Sequence, residues 1–240
     1  MYIYGRNIIR EALRANIVLH RVYYLLSPGS DRDFKRLLNT LESRKVPLIS
    51  STERSLNRVT HSAKHQGIVA DIGDFPYVTL DKVLESGKRP YFFIMLDRIQ
   101  DPRNLGAIMR IAAGVGATSV IKSVIDSVDV TPTVIKASAG FAFRIPVVKC
   151  NNLKVCINIL KEREVWIYGT AREGKLLWDV DMKENSAMLF GNEGNGIKKS
   201  ILNRCDEVIK IPMENDVESL NVSNAAAVIS YELLRQRSIK

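Results

Sequence analysis

From residue 91 onward, short apolar runs alternate with segments of helical period. YFFIML (91–96) is followed by a helix near Asn104, TSVIK (118–122) by a helix over Pro132–Ala139, and IPVVK (145–149) by a helix over Leu153–Arg163. VWIYGT (165–170), AMLFG (187–191) and EVIKIP (207–212) come next, and a long last helix runs from Ser219. Strands that are apolar on both faces, separated by helices, must be covered on both sides. This order predicts an α/β fold with a mainly parallel sheet and helices on both faces. Ligands of such sheets bind in the loops beyond the carboxyl ends of the strands, so the loops hold the candidate residues.

The first third reads differently. IIREALRA and FKRLLNTLESR have helical period, and RVYYLLS, VPLIS and GIVADI read as short strands. Residues 1–73 are therefore expected to form a small α/β domain, 74–90 a linker with a short helix, and 91–240 the larger domain. Charge follows this division: residues 1–73 hold 12 Lys and Arg against 6 Asp and Glu, out of a formal net charge of +9 for the whole chain. Basic domains attract phosphate backbones, so the small domain is expected to meet a nucleic acid, although a generically positive solvated surface gives the same count. Arg6, Arg10, Arg14, Lys35, Arg36, Arg44, Lys45, Arg54, Arg58 and Lys64 supply the positive charge; Tyr23 and Tyr24 either stack bases or lie in a strand. No apolar stretch is long enough to span a bilayer and the first residues carry charges, which predicts a cytoplasmic protein without a membrane segment. Cys150, Cys156 and Cys205 lack metal-ligand spacing and read as buried free thiols. His61 and His65 have no third ligand in the sequence, so no metal is expected.

Three loops stand out. In DPRNLGAIMR (101–110), Asn104 is expected to cap a helix. Leu105, Ile108, Ala112 and Val115 make its apolar face, while Gly106, Arg110, Ala113, Gly114 and Ala117 make a second face of small residues from which Arg110 projects. Each interior glycine costs about 1 kcal/mol relative to alanine, which calls for a close neighbour on that face. LFGNEGNGI (189–197) runs a strand into three glycines around Glu193 and is either a tight turn or a ligand loop. Its order, G-x-x-G-x-G late in the domain, is not a dinucleotide fingerprint. Beyond Ile211-Pro212, the residues Ser219, Asn221, Ser223 and Asn224 crowd a helix start where one cap suffices. They either face a ligand or are solvated around a single cap.

Together NLGAIMR, GNEGNG and IPM…ESLNVSNAA resemble the SpoU/TrmH family of RNA ribose 2′-O-methyltransferases, within the SPOUT superfamily, over residues 91–240. YGRNIIREALRAN and HQGIVADI are similar to the auxiliary RNA-binding domain of the subgroup acting on large-subunit rRNA. The resemblance implies a C-terminal trefoil knot, S-adenosylmethionine as methyl donor, and a homodimer whose active site is shared across the interface. It implies that Gly191, Ile211 and Leu220 contact the cofactor, that Ser219 and Asn221 shape the site with Asn104, and that Arg110 engages the ribose hydroxyl. A guanidinium stays protonated, so Arg110 is expected to hold the hydroxyl and stabilise the developing alkoxide. Glu193 is the second candidate for proton handling, or else a dimer or loop contact. The implied reaction is 2′-O-methylation of a guanosine in 23S-type rRNA; the alternatives are a tRNA ribose methyltransferase and a non-catalytic RNA-binding protein. A Rossmann-type nucleotide enzyme would need an early glycine loop, which is missing.

Overall fold

A computed structural model describes residues 1–26, 31–86 and 89–238. The last residue of RVYYLLS and residues 87–88 of the expected linker lie outside them. In chain order the elements begin with β1 (Tyr2–Tyr4), α1 (Arg6–Arg14), β2 (Arg21–Tyr24), α2 (Arg32–Ser43), β3 (Leu48–Ser50), α3 (Glu53–Thr60) and β4 (Ile68–Asp71). They continue with α4 (Leu80–Ser86), β5 (Phe92–Leu96), α5 (Pro102–Gly114), β6 (Ser119–Ser123), α6 (Pro132–Ala137), β7 (Val147–Cys150) and α7 (Leu153–Lys161). The last are β8 (Trp166–Leu176), β9 (Ser186–Phe190), α8 (Lys199–Leu202), β10 (Glu207–Lys210) and α9 (Val222–Ser238).

These elements form two compact units, one of Met1–Phe75 with Val130–Arg144, the other of Pro76–Asp129 with Ile145–Lys240. The first holds a four-stranded sheet in the order β1-β4-β2-β3, antiparallel except for β2 with β3. Residues 130–144, expected in the larger domain, pack here instead. Phe143 stacks on Phe75 with centroids 6.0 Å apart, Lys136 Nζ lies 4.9 Å from the Tyr4 ring centroid, and the Arg144 guanidinium donates to Glu11 on α1.

The second unit is a six-stranded sheet, β10-β8-β9-β5-β6-β7, and every pairing is parallel. Strand alternation divides its side chains: Phe93, Met95, Ile121 and Leu189 share a core with Leu80, Val83 and Leu84 of α4 and Ile157 and Leu160 of α7. The opposite face is covered by α5 and α9, which also pack on each other. The expected linker is thus largely folded, and Val78 adds a parallel bridge to Val148 of β7.

Two helix starts differ from expectation. Asp101, extended at φ −77° and ψ 120°, caps α5 by accepting from Arg103 N at 2.7 Å, and Pro102 takes the first helical position. Asn104 is therefore the third residue of the helix, where its side chain is released from capping. At the other end of the unit, Asn221 Oδ1 accepts from Ser223 N at 2.9 Å, so α9 begins at Val222 and Ser219 lies in the preceding loop. The free-thiol expectation holds for Cys205 alone among the three cysteines. The last residue of β7 and the second turn of α7 face the same core, and Cys150 and Cys156 are joined there by a disulfide.

Candidate active site

The carboxyl ends of β5 and β9 are built against each other. Asp97 N donates to Phe190 O at 2.8 Å, and the buried Asp97 carboxylate accepts from Lys198 N at 3.0 Å and from the Arg98 guanidinium at 3.2 Å. Arg98 in turn donates to Gly196 O at 3.0 Å, while Asn192 Nδ2 donates to Arg98 O at 3.1 Å. The loop after β5 thus props the glycine loop into one shape. Gly191 shows how closely that loop is folded: a Cβ there would lie 2.1 Å from Gly196 C and 2.2 Å from Ile197 N. Both atoms are backbone, so no side chain can be accommodated. The loop is thus a tight turn, and its backbone presents a surface to the space beside it.

That surface is one wall of a cleft of about 930 Å³. The other walls are Thr170–Arg172 and Leu176 of β8, Ile209–Met213 at and beyond β10, and Glu218–Val222 at the entry to α9. The volume is that of a small-molecule site, and the mix of apolar side chains with a few polar groups fits one. Gly191, Ile211 and Leu220 all line it, as do Glu193, Ser219 and Asn221. Two of the three sequence loops are therefore brought together directly.

The first loop joins through a contact that sequence reasoning missed. Asn104 Nδ2, freed from capping, donates to Glu193 Oε1 at 2.5 Å across 89 positions of chain. Arg110, six residues further along α5, is exposed and does not line the cleft of its own chain. The small-residue face has a neighbour that the sequence did not name: a Cβ at Gly114 would lie 3.4 Å from Tyr231 Oη on α9. Helix packing accounts for that part of the face, in place of the ligand approach expected from its small side chains. Asn221 likewise has a capping duty besides its place in the lining.

In the first unit, several expected phosphate ligands have partners within the fold. Arg6 pairs with Asp31 at 2.5 Å and lies 4.4 Å from the Phe34 ring centroid, Arg10 pairs with Asp33, and Arg44 donates to Leu13 O at 2.7 Å. Lys35, Arg36, Lys45, Arg54, Arg58 and Lys64 are exposed. Tyr23 is in β2, tilted against Tyr2 at 6.4 Å. His65 is buried between Asn57 Oδ1, 3.1 Å from Nε2, and Gly67 N, which donates to Nδ1 at 3.0 Å; burial lowers its pKa, and it serves the fold. His61 ends α3 in the left-handed region.

Comparison with known proteins meets this geometry. A model of the SpoU rRNA methylase family matches residues 91–231, the span that contains the cleft and all three loops. The chain belongs to the SpoU rRNA methylase family. A second model, described as RNA 2′-O ribose methyltransferase substrate binding, matches residues 2–78. The 23S rRNA (guanosine-2′-O-)-methyltransferase RlmB of Xanthomonas campestris is 39% identical over 77% of this chain and 76% of its own. RlmB of Ralstonia nicotianae is 36% identical over 90% of this chain and 88% of its own. Among solved structures, the SpoU methyltransferase AviRb from Streptomyces viridochromogenes, in complex with the cofactor AdoMet, superposes with a TM-score of 0.87 at 25% identity. That match covers 100% of this chain and 91% of AviRb. This SpoU-family chain is an RNA 2′-O-ribose methyltransferase dependent on S-adenosylmethionine, with a parallel sheet flanked by helices. Among the described residues no helix is long and apolar enough to cross a membrane.

Proposed function

We propose that the chain methylates the 2′-hydroxyl of a guanosine in 23S-type rRNA, as a homodimer, with S-adenosylmethionine held in the 930 Å³ cleft. The observation that carries the cleft assignment is the closed glycine loop, which lines the cleft from Gly191 to Ile197: a Cβ at Gly191 would strike the Gly196 backbone, while nothing lies within 4 Å of one at Gly196. The rRNA guanosine rests on the two RlmB relatives and on the substrate-binding match of residues 2–78.

When bound, S-adenosylmethionine supplies a methyl group on a positively charged sulfur. Gly191, Ile211 and Leu220 hold it through backbone groups and apolar surface, and Ser219 and Asn221 shape the wall beside it. Arg110 holds the ribose 2′-oxygen and stabilises the negative charge that develops there, a role suited to a cation that does not lose its proton. Its exposure on α5, away from the lining of its own cleft, supports delivery of Arg110 to the cleft of a second subunit. Glu193 is the second group for proton handling and takes the hydroxyl proton; the hydrogen bond from Asn104 to its carboxylate supports this. Holding the reactants close and aligned contributes on the order of 7 to 11 kcal/mol, so most of the work is positioning. The same reading expects the segment from β9 through α9 to be threaded as a trefoil knot.

Incubation with tritiated S-adenosylmethionine and undermodified RNA tests the proposal. Label in 2′-O-methylguanosine after nuclease digestion of a 23S transcript is the expected result. Label confined to tRNA would establish the other substrate class, and a folded protein that labels neither would contradict the assignment.

A further inference from the structure

Among the described residues, one ion pair has both members in the lining of the cleft: Arg172 Nη2 lies 2.7 Å from Glu218 Oε2. The two residues belong to different walls. Arg172 is on the far half of β8, and Glu218 is in the loop between β10 and α9. The β8 half is held against β10 by a register shift between Val208 and Ile209, after which Ile209 pairs with Lys175 and Lys210 with Leu176. At Gly174, with φ +152°, a Cβ would lie 2.5 Å from Val208 O, so the strands touch there through backbone alone. The arginine is thus carried on a braced element.

The pair does little for the fold itself. The side chains are 64% and 73% exposed, and such pairs hold together weakly in water. Much of the surrounding lining, at Leu176, Phe190, Ile209, Ile211 and Leu220, is apolar and suits a nucleoside better than charge. A cation beside an anion at one place in this wall matches a ligand that carries a carboxylate and an ammonium on one carbon.

We infer that Arg172 and Glu218 recognise the amino-acid end of the methyl donor. The Arg172 guanidinium takes the α-carboxylate and the Glu218 carboxylate takes the α-ammonium, the ion pair opening as each exchanges its partner. This rests on the reading of the cleft as the S-adenosylmethionine site. A guanidinium presents paired donors that suit a carboxylate, and each contact becomes a charge-assisted hydrogen bond in place of an exposed one.

Two probes separate this inference from the reading it rests on. S-adenosylhomocysteine has the amino-acid end; 5′-deoxy-5′-methylthioadenosine has the same nucleoside and thioether without it. Titration calorimetry on the full chain is expected to show that Arg172→Gln and Glu218→Gln each weaken S-adenosylhomocysteine binding by about tenfold, the loss of one charged contact. Methylthioadenosine affinity should be unchanged in both, and thermal melts should match the unsubstituted protein. Parallel weakening of both ligands, or no change in either, overturns the inference while leaving the cleft assignment standing. If the unsubstituted protein binds neither probe, the cleft assignment itself fails and takes the inference with it.

Discussion

Arg110 is exposed on α5, outside the lining of its own cleft, and the proposed function gives it the charge that develops on the ribose 2′-oxygen. Arg110→Ala should therefore lower single-turnover methyl transfer by about 10²-fold or more, the usual loss for one transition-state donor, while affinity for S-adenosylhomocysteine stays unchanged. Retention of full turnover would remove the arginine from the chemistry. Gly191 makes the opposite prediction. With Gly196 C only 2.1 Å from where its Cβ would lie, Gly191→Ala must push the loop open, and cofactor affinity should fall more than tenfold in calorimetry. Asn104 shows what sequence could and could not tell at this scale. Its membership in a motif was legible; its hydrogen bond to Glu193 was not, because the partner lies 89 positions away and sequence periodicity carries no information about such pairs.

At the scale of elements, strands β5, β6 and β9 were legible because each is centred on an apolar run and buried throughout, whereas α8, four residues long, was not read. Helix ends were less legible. Asp101-Pro102 and Asn104 are both plausible starts, and only geometry shows that proline takes the first position and leaves Asn104 facing Glu193. Helix α3 and strand β1 were missed because they are short and mostly polar or half-exposed on one side. One helix carries a testable charge cluster. Burial by itself would raise the pKa of Glu11 on α1, but the guanidinium groups of Arg144 and Arg14 outweigh it and hold the carboxyl below the usual range. A carboxyl with a lowered folded pKa contributes stability above its unfolded pKa and loses it as pH falls through the folded value. Denaturant unfolding should accordingly show a loss on acidification below about pH 4.5 that Glu11→Gln makes shallower, with Glu11→Gln costing about 1–3 kcal/mol at neutral pH. An unchanged acid limb in the variant would assign the loss to other groups.

A second cluster lies at β6. The Lys122 side chain is 2% exposed; burial pushes its pKa down, and Asp129, 3.4 Å away, pulls it back. Asp129 also meets Lys149 at 3.0 Å. Removing the buried cation should leave stability within about 1 kcal/mol for Lys122→Met, since a buried charge gains little net from its partner. Asp129→Asn leaves two lysines facing each other and should destabilise more than Lys122→Met in the same urea titration. The reverse order would mean that Lys122 earns its burial by some other contact.

For the whole molecule, a basic first unit and a methyltransferase second unit were readable from charge and motif order, and the division of the chain between them was not. Residues 130–144 lie between two strands of the second unit in sequence yet pack with the first through Phe143, Lys136 and Arg144. No local pattern marks a segment that leaves one core for another, since its apolar residues satisfy either. The cleft is legible for a different reason: its walls come from loops rich in glycine and small polar residues, whose costs in regular structure need an explanation wherever they occur. A crystal structure with S-adenosylhomocysteine bound tests this most directly. The ligand should lie against Gly191, Ile211 and Leu220, and Arg110 from a second subunit should approach its sulfur. A ligand found on another face of the sheet, with the glycine loop empty and closed, would contradict the account.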